Sequence, residues 1–336
     1  MRDFSHYIKQ LLKKLAFLLY LTVFCFIAGE ITVRLAYNQL KNYNMEMWRY
    51  ASEIKQPLPY KRLPFDHYPN KEGHYYGVSI KTNSLGLRDY EYSIEKPENK
   101  KRVIFLGDSF TFGWGVPLEK LYSKQVEKML NSEEKKVEVI NMGVGNYNSI
   151  MEVELFKRRG LTLDPDMVIL MYFVNDTEPV PPVKSKAEYL ILKNSYFMAF
   201  LFDRFVKVKT HFDKNFEWSE YYSNLYSSEN SKNLAATEKA IKELINLCKD
   251  NGIRLLIVNI PELRALKRYK FQKATSFIRS LAEQENVSFL DLLPALVEYD
   301  PESLWVSLED PHASELANGI IAEKIYDKIL PDIEYH

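Results

Sequence analysis

The sequence predicts a three-layer α/β/α domain built on a five-stranded parallel sheet and carried behind a single N-terminal transmembrane helix. Three observations predict it. Five short apolar runs, rich in β-branched residues, recur between residues 101 and 292, and strands apolar on both faces belong to a sheet that is covered on both sides. Amphipathic helical patterns separate most of these runs, as parallel crossover units require. Ahead of them lies a stretch of fifteen residues without a charge, "LAFLLYLTVFCFIAG", which is apolar around its whole helical circumference.

That stretch lies between Lys14 and Glu30 and follows Lys9 and Lys13. At about 1.5 Å per residue it covers roughly 22 Å, short of a ~30 Å hydrocarbon core. Leu11 and Leu12 lengthen it once Lys13 and Lys14 snorkel to the lipid surface. A cleaved signal peptide is the rival reading, but the leader is long and no A-x-A-like site follows "CFIAGEITVR". Residues 1–33 are therefore expected to be a cytoplasmic leader and signal anchor. The lysines before the span put the N-terminus in the cytoplasm and the rest of the chain in the periplasm or at the cell exterior.

Residues 34–98 read as a stalk followed by a small β-element. The Pro-punctuated "QPLPYKRLPFDHYPN" is loop-like, while "HYYGVSIKTNSLGLRD" alternates like a hairpin, with Asn83 to Gly86 as its turn material. Residues 99–336 form the main domain. Strands are expected at 101–107, 137–143, 166–174, 253–261 and 287–292, and helices at 118–131, 149–159, 235–250, 262–284 and 313–330, an order of the flavodoxin-like kind. Residues 177–233 break this alternation. They are crowded with Phe, Tyr and Trp and too apolar for a disordered linker, so they read as an insertion over the carboxyl edge of the sheet. A lid, an interface and a helical pair lying on a membrane all fit that composition.

Composition excludes several function classes. Lys plus Arg and Asp plus Glu both number 45, so no net field draws the chain to nucleic acid. Cys25 and Cys248 are the two cysteines; they supply neither a disulfide framework nor metal-ligand spacing, and no metal or organic cofactor is indicated.

Ligands of parallel α/β sheets bind outside the carboxyl ends of the strands. Gly107-Asp108-Ser109, the run Asn141 to Asn148, and Asn175-Asp176 follow the first three strands, and "EDPHAS" (309–314) precedes the last helix. A serine hydroxyl becomes a nucleophile when a base takes its proton, and neutral imidazole suits that task near pH 7. Ser109 and His312 are the expected pair. Asp310, two residues before His312, is the expected carboxylate for the ring's Nδ1 hydrogen, with Glu309 as the alternative acid. Asp108 reads as a capping acid, and Arg88 as the closure of the front hairpin. His67, His74 and His211 lack acid partners at relay spacing and are expected at the surface or in turns.

"GDSFTFGWGV", "VINMGVGNYNS", "VND" and "DPHASELANGIIAEKI" together resemble, in order, the four blocks of the SGNH hydrolase superfamily, the GDSL-like esterases and lipases, across roughly residues 100 to 330. The resemblance implies an oxyanion hole made from the backbone N–H of Ser109, the backbone N–H of Asn146 and the side-chain amide of Asn175. Phe110 stands where Leu is usual. Three further departures concern the site: Asn146 falls where the second-block glycine belongs, Phe173 takes a third-block glycine position, which narrows the pocket, and the family's common Asp-x-x-His spacing would put the acid at Glu309, where a shorter Asp-x-His reading gives Asp310. The implied activity is hydrolysis of an ester through an acyl-enzyme. With the location, it points to an O-acylated saccharide of the cell envelope or an exported polysaccharide, O-acetyl first. An O-acyltransferase using the same residues, and a catalytically degenerate anchored scaffold that binds polysaccharide, are the other expectations.

Overall fold

A computed structural model describes residues 2–36, 43–132, 136–183, 194–212 and 217–334. The chain divides into two compact units, Met1–Ser52 with Ser185–Lys214, and Glu53–Lys184 with Asn215–His336.

The larger unit opens with two antiparallel hairpins. Strands β1 (Lys55–Tyr60) and β2 (Leu63–His67) form the first, and β3 (Glu72–Tyr75) and β4 (Val78–Lys81) the second. Pro57 and Pro59 are tolerated in β1 because a two-stranded ribbon is all edge. The second hairpin turns at Tyr76-Gly77, both at positive φ (47° and 84°), which is the two-residue geometry that matches strand twist. Asn83 to Gly86, expected as that turn, instead make a separate one in which the Asn83 side chain accepts from the N–H groups of Leu85 and Leu87.

The core sheet consists of β5 (Lys101–Leu106), β6 (Val137–Asn141), β7 (Met167–Tyr172), β8 (Arg254–Asn259) and β9 (Ser288–Asp291), all parallel, in the order β6-β5-β7-β8-β9. The five expected strands are all present. β6 and β7 are buried along their whole length, because helices cover both faces. Helix Tyr122–Leu130 packs against Glu315–Glu334, and Ser149–Leu155 packs against Ser231–Asp250. Right-handed crossovers put these two pairs on opposite sides. The order reverses at β5 and β7, whose following helices lie on opposite faces, so the loops after these two strands diverge around one crevice.

The helix expected over 262–284 begins only at Gln272. Before it, the Glu262 carboxylate accepts from the backbone N–H and the Nε–H of Arg264, which closes a separate one-turn element. A last short hairpin, β10 (Trp305–Ser307) with β11 (Asp310–Ala313), leads into the final helix.

The smaller unit holds helices Arg2–Ala36, most of Tyr43–Glu53, and Tyr196–Phe212. Val33 and Met45 are its buried centre, with Trp48, Tyr196, Phe197, Ala199 and Phe200 packed around them. Within the first helix, His6–Ala36 is long and apolar enough to cross a membrane. The 177–233 stretch is thus shared out: Ser185–Lys214 belongs to this unit and the remainder to the larger one.

Candidate active site

β5 ends at Leu106, and after Gly107 the chain enters a four-residue helix, Ser109–Phe112. Asp108 caps it, its Oδ1 accepting the N–H of Phe110 at 2.8 Å, which satisfies one of the orphan donors of a helix start. Burial raises the Asp108 carboxyl above its ordinary range, against the pull of that N–H and of His312. Gly143 in the loop after β6 has no alternative, since a methyl group there would collide with the backbone of Phe112. The two loops therefore touch main chain to main chain.

His312 lies on β11 with its Nε2 2.8 Å from Ser109 Oγ. Its Nδ1 is 2.5 Å from Asp310 Oδ1. That network assigns the tautomer: Nδ1–H donates to the carboxylate, and Nε2 accepts from the serine hydroxyl. Asp310 Oδ1 also accepts the backbone N–H of His312 at 3.1 Å, so the acid is held by the strand it orients. Asp310 is fully buried whereas Glu309 is exposed. Between the two candidate acids, the structure brings Asp310 to the imidazole.

Asn146 stands in the left-handed region, at φ 64°, a conformation that Asn adopts more readily than most residues. Lys55 Nζ donates to the Gly145 carbonyl (2.5 Å) and to Asn146 Oδ1 (2.9 Å) and lies over the Phe65 ring, which fixes this turn from outside. Asn175 follows β7 and is half-buried, and its amide is among the groups that favour the ionised form of Asp108.

Further residues that sequence reasoning did not place at the site hold it together. Arg88, expected only to close a hairpin, is buried and donates to the carbonyls of Phe112, Gly113 and Val116, fastening the chain just after Ser109. Its neighbour Asp89 accepts the Asn141 N–H at 2.6 Å and pairs with Lys124 at 2.7 Å, fastening the end of β6. Tyr76 Oη and Ser307 Oγ are hydrogen-bonded at 2.7 Å, tying the front hairpin to the hairpin that carries His312. The one available signal was an Arg-Asp pair framed by Leu87 and Tyr90. His67 corrects another expectation. It is buried against Phe112, and burial together with the charges of Lys55, Arg159 and Arg88 drives its imidazole down to about 3, so it is neutral. His74 is exposed; the side chain of His211 lies outside the described residues.

Beneath the loops, Glu152 and Asp176 are fully buried. Burial, with mutual repulsion and the nearby Asp108, raises both carboxyls well above their ordinary values. Ser149 Oγ donates to Asp176.

An aromatic path leads away from Ser109 and His312. The rings of Phe110 and His312 are 5.2 Å apart, Phe110 and Phe173 4.5 Å, and Phe173 and Tyr222 6.3 Å. Trp218 adjoins Tyr222, and the Arg264 guanidinium stacks on its face at 3.6 Å. Two of the departures from the family pattern, Phe110 and Phe173, are thus each other's partners.

A serine, an imidazole and a carboxylate in series at the carboxyl edge of a parallel sheet define a serine hydrolase of the α/β class. The profile of the GDSL-like lipase/acylhydrolase family matches residues 105–318, and the chain belongs to that family, whose members are SGNH-type hydrolases acting on ester bonds. No curated protein matches the chain. Among solved structures it is similar to TesA (11% identity, TM-score 0.47, covering 69% of this chain and 99% of that one). It is also similar to the acetyl xylan esterase AlAXEase (19%, 0.45, 68% and 99%). A mutant of Axe2, the acetyl-xylooligosaccharide esterase of a Geobacillus, aligns at 16% identity and TM-score 0.44, over 70% and 95% of the two chains.

Proposed function

We propose that this chain is a membrane-anchored serine esterase that removes a short acyl group, acetyl first, from a saccharide on the outer side of the membrane. The observation that carries the reading is the 2.8 Å approach of His312 Nε2 to Ser109 Oγ with Asp310 behind the ring. Ser109 Oγ attacks the ester carbonyl while its proton passes to His312 Nε2. The oxyanion that forms is met by the N–H groups of Ser109 and Asn146 and the amide of Asn175, each such donor contributing about 3–4 kcal/mol of barrier lowering. His312 then protonates the departing sugar oxygen, leaving the acyl group on Ser109. Water, deprotonated by the same nitrogen, attacks that ester, and the carboxylic acid leaves as the serine regains its hydrogen.

Two features support the finer substrate class. The Phe110–Phe173 pair fills space beside the imidazole, which suits a small acyl group. Tyr222 and Trp218 are half-buried against the edge of the core, with Arg264 stacked over Trp218, and the ring surface they leave open is of the kind on which sugars pack. Leu225 and Tyr226, in the same aromatic stretch, are buried and serve the core.

The test is incubation of the purified protein with an activated acetyl ester and with O-acetylated oligosaccharides, with and without an unacetylated acceptor, followed by mass spectrometry. Free acetate identifies the hydrolase. Transfer of acetyl to the acceptor identifies an acyltransferase working from the same serine. A folded protein that neither turns over ester nor takes a fluorophosphonate label at Ser109 would leave only the scaffold reading standing.

A further inference from the structure

We infer that helix Tyr196–Phe212 is an interfacial membrane helix, seated in the headgroup region with one apolar stripe in lipid, so that the smaller unit meets the bilayer through two helices rather than one. The inference rests on the N-terminal helix spanning a membrane and is independent of the esterase chemistry.

The charge-free run of the N-terminal helix ends at Gly29, and Glu30 is the first ionisable side chain beyond it. That carboxylate accepts from Ser195 Oγ (2.9 Å) and from the N–H groups of Tyr196 (3.1 Å) and Phe197 (2.9 Å). The start of the second helix is therefore fastened at the level where the spanning run ends. Phe197 reaches one turn further down, its ring 5.8 Å from that of Phe26 and close enough to Gly29 that any side chain there would collide with it.

From this point the helix shows an inward face and an outward apolar stripe. Ala199, Phe200 and Asp203 turn toward the unit's own centre, where Asp203 accepts from Asn44 at 2.7 Å. Met198, Leu201, Phe202, Phe205 and Val208 follow the spacing of a single helical stripe and are 43–68% exposed. Arg204 borders that stripe, whereas Lys207, paired with Asp203 at 3.5 Å, lies on the opposite side of the helix; both are about half exposed.

Five large apolar side chains in one line are costly to leave in water. The N-terminal helix carries exposed apolar surface of its own beside that fastening, where Ile27 and Ile31 are each 54% exposed. A bilayer covers both surfaces at once, and a basic residue at the edge of an apolar stripe, as Arg204 is here, is a pattern that anionic headgroups favour.

The experiment uses the full chain reconstituted into phosphatidylethanolamine–phosphatidylglycerol vesicles, with Cys25→Ala to remove the exposed thiol and buried Cys248 left in place. An environment-sensitive fluorophore is attached at Phe202→Cys, Phe205→Cys, Lys207→Cys and, as reference, Leu18→Cys. Quenching by a lipid carrying a shallow nitroxide is compared with quenching by aqueous iodide. Met198→Cys and Leu201→Cys report the same stripe should either Phe variant fold poorly.

Labels at 202 and 205 are expected to be quenched several-fold more by the lipid nitroxide than by iodide, with the reverse at 207. Stripe labels open to iodide while the label at 18 is in lipid would overturn the inference. So would stripe labels shielded from both quenchers, which would mean that protein covers the stripe. If the label at 18 is also in water, the spanning helix and this inference fall together, and esterase activity is untouched.

Discussion

Ser109 and His312 reach the same point by opposite means. The segment after Ser109 is held by Arg88, which reaches forward across 24 residues to the Phe112 carbonyl and on to those of Gly113 and Val116. The loop after β6 is held likewise, by Lys55 across 90 residues and by Asp89 across 52. His312, by contrast, takes its ring orientation from Asp310 two residues away, and its backbone is bonded to that same carboxylate. The nucleophile side depends on buried cations and long-range contacts, and the base side on a local hairpin. Substitutions should therefore damage the two sides differently: stability and activity together on the first, activity with little loss of stability on the second.

The largest effect is expected from Ser109→Ala, which removes the proposed nucleophile. Ester turnover should fall by about 10⁴-fold or more and fluorophosphonate labelling should vanish, with an unchanged thermal midpoint. Residual labelling would place the reactive hydroxyl elsewhere.

On the base side, Asp310→Asn keeps the shape of the side chain but loses the acceptor that holds the Nδ1 hydrogen. A fall of roughly 10²–10⁴-fold in kcat is expected, with KM little changed. Glu309→Gln, at an exposed position, should change turnover less than about twofold, within the ordinary range of surface substitutions. Equal losses from the two variants would break the assignment of the acid.

Arg88→Met tests the nucleophile side. Three buried carbonyls lose their donor, so chemical denaturation should show about 2–4 kcal/mol of lost stability, along with at least about tenfold slower turnover from a loosened Ser109 segment. Loss of activity alone, with full stability, would erase the contrast with Asp310→Asn.

The smallest effect concerns the acids buried under the loops. Burial first, and repulsion from Asp176 and Asp108 second, raise the Glu152 carboxyl well above 4.5. The folded state then holds this proton at pH values where the unfolded chain has released it, so stability declines as pH rises from about 4.5 toward the folded value. Glu152→Gln removes that titration. Its thermal midpoint should match the parent's near pH 4 and exceed it increasingly above pH 5; a constant offset at every pH would show that Glu152 does not titrate in that window.

Much of the fold was legible in the residues because burial on both faces turns each core strand into an unbroken apolar run, as in "VIFL" and "MVILMY". Ser109, His312 and Asp310 were legible because the blocks that hold them carry unusual residues in fixed order. Less was readable where polar groups do structural work at a distance. Nothing in the local sequence of Lys55 or Arg88 distinguishes a buried cation bonded to main-chain carbonyls from one in solvent. Nor does local sequence say that His67 is enclosed. The insertion misled for a similar reason. Its apolar content was plain, but the partition of Tyr196–Phe212 and Trp218–Asn224 between the two units follows from contacts to residues more than a hundred positions earlier or several dozen later.

What the amino-acid sequence determined by itself was the repeating pattern: where strands and helices fall, that one segment is apolar enough to cross a membrane, and which hydroxyl, imidazole and carboxylates are available. These follow from side-chain periodicity and local chemistry, which neighbouring residues alone define. Tertiary structure decided the rest. It chose Asp310 over Glu309 by burying one and exposing the other, joined Phe110 to Phe173, and drew the front segment against both catalytic loops. The physical reason is that burial and hydrogen-bond satisfaction belong to the space around a residue, and in that space the chain brings together groups that its order keeps far apart.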